Sequence, residues 1–94
     1  KKTYTKMHSH KGSGATYKID LRGQMVDEAI HELEAYMDRA VLSGYKDIQV
    51  IHGKGTGQLR KGIQEYLKTC RYVDSFRDAN MNEGGLGCTV VTLK

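Results

Sequence analysis

Long hydrophobic runs and clustered cysteines are the features that this 94-residue sequence lacks. No apolar stretch approaches the roughly 18 residues that a membrane-spanning helix needs, so we expect no membrane partner. Cys70 and Cys88 are the only cysteines and form no CxxC pair, which excludes a disulfide scaffold and a cysteine-based zinc cluster. No secretory leader is evident, so we expect a cytoplasmic protein. The first residue is Lys1 rather than methionine, and we therefore expect a piece of a larger parent chain.

Positive charge is concentrated at the amino end of the chain. The formal net charge is +4, and residues 1–18 hold five of the fifteen basic residues and none of the eleven acidic ones. The remainder therefore carries a net charge of −1, so the overall charge does not by itself indicate a nucleic-acid-binding domain. Polar composition without periodicity predicts a basic flexible arm over residues 1–16.

Hydrophobic periodicity predicts a single compact α/β domain over residues 17–94. The elements expected in chain order are a strand at 17–21, a helix at 26–41, a strand at 47–52, a helix at about 57–70 and strands at 73–79 and 88–93. Right-handed crossovers make the first three strands parallel, and the short last connection makes the final strand antiparallel. The third strand is less apolar and is expected towards an edge. The predicted architecture is therefore a β-α-β-α-β-β mixed sheet.

Seven of the eleven glycines fall in three loops, each after the carboxyl end of a strand predicted to be parallel. They are Gly23; Gly53, Gly55 and Gly57; and Gly84, Gly85 and Gly87. Such loops meet at one edge of the sheet, where open α/β sheets bind ligands. The sequence therefore predicts a binding edge at these loops.

The second loop, His-Gly-Lys-Gly-Thr-Gly at 52–57, leads into a helix and is typical of a phosphate site. Glycines let backbone N–H groups turn towards one point, and the helix amino terminus adds partial positive charge. The residues expected to bind phosphate or nucleic acid are Gly53, Lys54, Gly55, Thr56, Gly57, Arg60, Lys61 and Gly85. Walker and dinucleotide fingerprints are absent, which disfavours ATP and NAD. A tight strand-to-helix turn that merely needs glycine is the alternative.

Asp20, Arg22 and His52 are the candidates for chemistry at this edge. An imidazole can exchange protons near neutral pH, whereas the alternative for His52 is a strand cap with local hydrogen bonds. Asp20 is also the only candidate metal ligand, for a divalent cation such as Mg²⁺ or Mn²⁺ that keeps most of its waters. The alternative for Asp20 is a carboxylate paired with Arg22 or Lys18.

Three stretches, at these separations, resemble the signature motifs of the Smr (small MutS-related) domain. They are Ile-Asp-Leu-Arg-Gly at 19–23, His-Gly-Lys-Gly-Thr-Gly at 52–57 and Gly-Gly-Leu-Gly-Cys-Thr-Val-Val-Thr-Leu at 84–93. The arginine in the first stretch resembles the version at the carboxyl terminus of the bacterial MutS paralogue that acts outside mismatch repair. The resemblance covers about residues 18–94. It implies a β-α-β-α-β-β fold similar to the carboxyl-terminal domain of the third translation initiation factor.

The resemblance also implies nicking endonuclease activity on DNA, with RNA cleavage in some relatives. It further implies a parent protein linked to control of recombination and to stalled ribosomes. Carried over by position, the acid of the first motif falls on Asp20, its basic partner on Arg22, and the histidine of the second motif on His52. The glycines of the second motif fall on Gly53, Gly55 and Gly57.

The mechanistic hypothesis joins the loop to these side chains. Arg22, Lys54 and the loop N–H groups would clamp the scissile phosphate, with His52 as general acid or base. Asp20 would orient His52, activate water or hold a cation. The alternative function is a non-catalytic nucleic-acid or ribosome-binding module that grips backbone phosphates. An enzyme of small phosphorylated metabolites is disfavoured because no apolar pocket is evident in the sequence.

Overall fold

The computed structural model describes residues 17–94, and the secondary structure follows the predicted order. The strands are β1 (Tyr17–Asp20), β2 (Asp47–Ile51), β3 (Val73–Asp78) and β4 (Cys88–Leu93). The helices are α1 (Val26–Leu42), between β1 and β2, and α2 (Gln58–Thr69), between β2 and β3. The basic arm predicted over residues 1–16 lies outside the described residues.

The four strands form one mixed sheet in the order β1-β2-β4-β3. β1 and β2 are parallel, and β4 is antiparallel to both of its neighbours, β2 and β3. The first three strands therefore run in one direction and the last runs against them, which confirms the predicted mixed sheet. β3 lies at an edge, as expected, while β4 lies inside the sheet.

One face of the sheet is covered by the two helices, which gives the domain two layers. The buried residues of α1 recur at three- and four-residue steps and are Ala29, Leu33, Tyr36, Met37 and Ala40. Ile63 and Leu67 of α2 join them in the main core, together with Ile48, Val50 and Val91 of the sheet. Within residues 17–94, no helix combines the length and the hydropathy that crossing a membrane would require.

The strand register decides which side chains share the helix-covered face. One row across the sheet, paired in this order, consists of Ile19, Val50, Thr89 and Asp78. The next row consists of Asp20, Ile51 and Cys88, and it lies on the opposite, open face because successive side chains alternate. This alternation controls the geometry of the candidate site.

The predicted boundaries shift by one residue at several ends. β2 ends at Ile51, α2 begins at Gln58 and ends at Thr69, and β3 ends at Asp78. The glycine-rich turn predicted between β3 and β4 contains two short 3₁₀ turns. These turns use hydrogen bonds between residues close in sequence, a local geometry that glycine content alone does not specify.

Candidate functional site

The three glycine loops meet at one edge of the sheet, as the sequence predicts. The carbonyl oxygen of Gly87 accepts hydrogen bonds from the N–H groups of His52 (3.1 Å) and Gly53 (2.9 Å), which ties the third loop to the second. The first loop also lies against the second, since a Cβ placed on Gly53 would lie 3.3 Å from Cγ of Arg22. We call this edge the glycine rim; it comprises residues 20–24, 52–57 and 84–87.

Asp20 and Arg22 form an exposed ion pair on the open-face side of the glycine rim. Arg22 Nε donates to Asp20 Oδ1 at 2.9 Å and Arg22 Nη2 donates to Asp20 Oδ2 at 2.6 Å. The side chains are 63% (Arg22) and 47% (Asp20) exposed, so the pair is accessible to a ligand. The hydrogen bonds from Arg22 hold the pKa of Asp20 below its usual value, and those to Asp20 raise the pKa of Arg22. Both groups are therefore ionised at neutral pH.

His52 lies at the same rim but points inward. The residue is only 4% exposed, and its Nδ1 lies 2.9 Å from the carbonyl oxygen of Gly53. Its Nε2 lies 2.8 Å from Oγ1 of Thr89, which is fully buried. Both ring nitrogens are thus engaged within the protein, in the manner of the strand cap with local hydrogen bonds. Its role as general acid or base stays a prediction.

Asp20 and His52 both lie at the glycine rim, but their side chains do not bind each other. Asp20 ends β1 on the open face, whereas His52 follows Ile51 and therefore turns to the helix-covered face. Both carboxylate oxygens of Asp20 are bound by Arg22, and the ring of His52 is bound by Gly53 and Thr89. The structure therefore does not contain the expected contact through which Asp20 would orient His52.

The glycine loop offers fewer free donors than the sequence indicates. Gly53, Gly55 and Gly57 all have positive φ (77°, 39° and 89°), which turns the peptide units of this loop in ways other residues rarely allow. The N–H of Gly53 donates to Gly87 and the N–H of Gly57 donates to the carbonyl of Lys54 at 3.0 Å. Of the N–H groups at residues 52–57, those of Lys54, Gly55 and Thr56 make no hydrogen bond within the part of the chain that the structure describes.

Three further residues of the expected phosphate-binding set have other surroundings. Arg60 binds Asp78 of β3 through Nε (3.0 Å) and Nη2 (2.8–2.9 Å), which directs its guanidinium towards the sheet. The N–H of Gly85 donates to Asn80 within its own loop at 2.8 Å. Lys61 is exposed on the first turns of α2. Of the two charged residues, Arg60 is half-buried and paired with Asp78, whereas Lys61 is exposed.

The structure adds a polar network that the sequence analysis missed. Gln64 Nε2 donates to Asp78 Oδ1 and to Thr89 Oγ1, both at 3.0 Å, and Thr89 in turn contacts His52. Hydrogen bonds from Arg60 first, and from Gln64 second, lower the pKa of Asp78. One feature of the sequence could have indicated this network: Arg60 and Gln64 are four residues apart and therefore share a face of α2.

Two cavities border the loop that contains Lys54. The larger, about 430 Å³, lies between the loop after β1 and the loop after β2, and its walls are residues 23–27 and 52–59. The smaller, about 300 Å³, lies on the open face beside Arg22. Gly53 and Lys54 line both cavities. A ligand that crosses the glycine rim would therefore contact Lys54 from either side.

A resident metal ion does not fit the donor groups present. Among the residues from 17 onward, no three His, Cys, Asp or Glu side chains lie close enough to hold a metal ion. Asp20, the candidate ligand, already has both oxygens in hydrogen bonds to a cation, the guanidinium of Arg22. A protein site for Mg²⁺ usually offers carboxylate oxygens that are free to coordinate it.

Comparisons with known proteins match this fold and these motifs. The family model described as the Smr domain matches residues 19–94. A protein of Fusobacterium nucleatum named Endonuclease MutS2 is 60% identical over 88 residues, which are 94% of this chain and 11% of that protein. The chain thus spans about a tenth of the length of this relative.

Two solved structures share the architecture. The Smr domain of Thermus thermophilus MutS2 gives a TM-score of 0.81 at 44% identity, over 83% of this chain and 98% of that one. YdaL, a stand-alone small MutS-related protein from Escherichia coli, gives a TM-score of 0.77 at 22% identity, over 98% of this chain and 74% of that one. The family model, the relatives and the fold agree with the three glycine-rich motifs, and the chain belongs to the Smr domain family.

Proposed function

We propose that this domain is a nicking endonuclease that hydrolyses phosphodiester bonds of DNA, with structured RNA as a second substrate. The observation that carries the proposal is the contact of the exposed Asp20–Arg22 pair with the glycine loop at Gly53. This proximity supports the proposal, because a phosphate near Arg22 would have a carboxylate, a guanidinium and the unpaired N–H groups of the loop within reach. The name of the relatives, Endonuclease MutS2, supports the same class of reaction.

The phosphate would bind between the loop and Arg22. Within residues 17–94, Nη1 of Arg22 makes no hydrogen bond, so its two N–H bonds remain for a phosphate oxygen. The N–H groups of Lys54, Gly55 and Thr56 and the exposed ammonium of Lys54 would bind the other oxygens. α2 begins directly behind this loop with no acidic residue in its first turn, so its amino terminus adds attraction for an anion.

Asp20 would orient and activate the attacking water. The oxygen of that water forms a bond to phosphorus while its proton passes to the carboxylate, and the bond from phosphorus to the leaving oxygen breaks. The leaving oxygen takes a proton from water, because this rim is exposed to solvent. General acid–base catalysis by one group accelerates a reaction by about 10²–10⁴-fold. Arg22, Lys54 and the loop N–H groups must therefore contribute a rate acceleration of similar size by stabilising the charge that develops on the phosphate.

A phosphate-binding module without catalysis is the second candidate. The observation that favours it is the burial of His52, whose two ring nitrogens are already bound by Gly53 and Thr89. Without an imidazole at the surface, the rim offers one carboxylate for proton transfer. In its parent protein such a module would hold nucleic acid or a ribosome through the same phosphate contacts.

The two candidates differ in turnover. Wild-type protein, Asp20→Asn and Arg22→Ala are incubated with supercoiled plasmid, single-stranded DNA and structured RNA, and binding is measured in parallel. Asp27→Asn is the matched control, since this exposed acid borders the larger cavity but not the ion pair. We expect Asp20→Asn to slow nicking by about 10²–10⁴-fold with little change in affinity. Arg22→Ala should weaken both nicking and binding.

Two outcomes would contradict the endonuclease proposal. If the wild-type protein binds all three nucleic acids but cuts none, with Mg²⁺, with Mn²⁺ or with chelator, the domain is the binding module. If nicking occurs and Asp20→Asn and Asp27→Asn are equally active, Asp20 has no part in the reaction.

A further inference from the structure

A polarised chain of hydrogen bonds leads from α2 to the glycine loop. Asp78 is held by Arg60 and presents only acceptors, so Gln64 must turn its NH₂ group towards it. The same NH₂ group then donates to Oγ1 of Thr89, at 3.0 Å. The orientation of the Gln64 amide is therefore fixed by the ionised carboxylate, and Thr89 receives a hydrogen bond from it.

The polarity continues through the histidine ring. Thr89 accepts from Gln64 and has one O–H left to donate, and Nε2 of His52 lies 2.8 Å from that hydroxyl oxygen. The carbonyl oxygen of Gly53 beside Nδ1 can only accept, so Nε2 is the acceptor of the Thr89 O–H and the proton of the neutral ring is on Nδ1. That N–H points at the carbonyl oxygen of Gly53, at 2.9 Å. Each hydrogen bond of the chain therefore has a single consistent direction.

The last hydrogen bond controls a donor of the phosphate site. The carbonyl of Gly53 and the N–H of Lys54 belong to one planar trans peptide unit, so they point in opposite directions. Because His52 holds that carbonyl inward, the N–H of Lys54 points away from the ring, and it makes no hydrogen bond within the described residues. Gly53 has no Cβ, so its backbone would allow other orientations of this peptide unit if the hydrogen bond from His52 were absent.

We propose that Thr89 and Gln64 are positioning residues of the phosphate site, which fix the tautomer of His52 and thereby direct the Lys54 N–H towards the bound phosphate. The inference deepens the proposed function and relies on phosphate binding at the glycine loop, but not on cleavage. It assigns to the buried His52 the role of orienting the Gly53–Lys54 peptide unit. It also explains why a threonine hydroxyl of β4 and a glutamine amide of α2 meet between the helix and the sheet.

The first test measures the tautomer directly. A long-range nitrogen–proton NMR correlation spectrum of the wild-type chain should show the His52 proton on Nδ1. Thr89→Val removes the hydroxyl at nearly constant volume, and the proton should then redistribute between the two nitrogens. Thr92→Val is the matched control, because its hydroxyl on the same strand contacts Asp47 instead. A wild-type ring with its proton on Nε2 would overturn the proposal, whatever the variants do.

The second test measures the consequence for binding. The amide signal of Lys54 should shift when inorganic phosphate or a short DNA duplex is added to the wild-type chain. In Thr89→Val the affinity for both should fall about tenfold, the loss that one misdirected donor to a charged group produces. Thr89→Ser, which keeps the hydroxyl, should have the tautomer and the affinity of the wild-type chain. If Thr89 had only a structural role, Thr89→Val would leave both the tautomer and the affinity unchanged as long as it folds.

Gln64→Leu provides an independent variant on the half-buried side of α2, should Thr89→Val fail to fold. It should give the same loss of affinity and the same change of tautomer. Unchanged affinity in the folded variants would overturn the proposal. If the wild-type chain never cuts DNA but shows the Nδ1 proton and the phosphate-dependent Lys54 shift, the endonuclease proposal fails while this inference stands.

Discussion

The replacement of Gly62 by alanine tests how closely α1 and α2 approach beside the larger cavity. A Cβ at position 62 would lie 2.6 Å from Cγ1 of Val26, far inside an ordinary carbon–carbon contact. Val26 begins α1 and is β-branched, so rotation of its side chain offers little relief. Alanine stabilises a helix interior by about 1 kcal/mol relative to glycine. Overpacking costs about 1–3 kcal/mol, so the free energy of unfolding should fall by up to about 2 kcal/mol.

The sign of the effect should reverse when Val26 is shortened. Val26→Ala removes both methyl groups that stand against position 62. In that background Gly62→Ala meets no obstruction, and the free energy of unfolding should rise by about 1 kcal/mol through helix propensity alone. The coupling energy between the two substitutions should therefore be about 1–3 kcal/mol.

Urea unfolding followed by circular dichroism measures all four proteins of this cycle. Ala35→Gly, on the exposed side of α1, is the control for helix propensity and should cost about 1 kcal/mol. If Gly62→Ala has the same effect with valine and with alanine at position 26, the close contact of the helices does not exist and the reasoning is wrong.

Two further predictions concern the glycine rim and its supporting network. Gly53→Ala and Gly55→Ala both place a side chain at positive φ, which costs about 1–2 kcal/mol, but only Gly53→Ala also presses on Arg22. The affinity for duplex DNA should therefore fall further in Gly53→Ala than in Gly55→Ala. Equal affinities of the two variants would show that Arg22 does not bind the phosphate. Arg60 lowers the pKa of Asp78, so the stability from this pair should be lost as the pH falls below the ordinary value of 3.8. Acid titration of unfolding should show a shallower slope in Asp78→Asn, and an unchanged slope would contradict the ion pair.

The sequence was most informative where local patterns decide the structure. Apolar residues at three- and four-residue steps gave α1, and glycines after strand ends gave the convergence of the three loops. The positions of β4 between β2 and β3 and of Asp78 beside α2 could not be predicted, because pairing between distant segments depends on packing of the whole chain.

The candidate site was only partly predictable, and the inward turn of His52 shows why. His52 is two residues after the buried Val50, so strand alternation already places it on the covered face if the pairing is known. Asp20 follows Ile19, the partner of Val50, and so belongs to the open face. The missing information was the register, since a shift of one residue would have exchanged the two faces.

The central location of β4 makes the integrity of the sheet depend on a single segment. β2 and β3 are joined only through Cys88–Leu93, which bonds to both. If this segment were cut from the chain and released, the sheet would be divided into a β1–β2 pair and a lone β3, whose exposed edges can recruit strands from other molecules. Gly87, whose carbonyl binds His52 and Gly53, directly precedes this segment and would lose the strand that holds it in position. Self-association and distortion of the glycine rim should therefore arise together from damage at this one place.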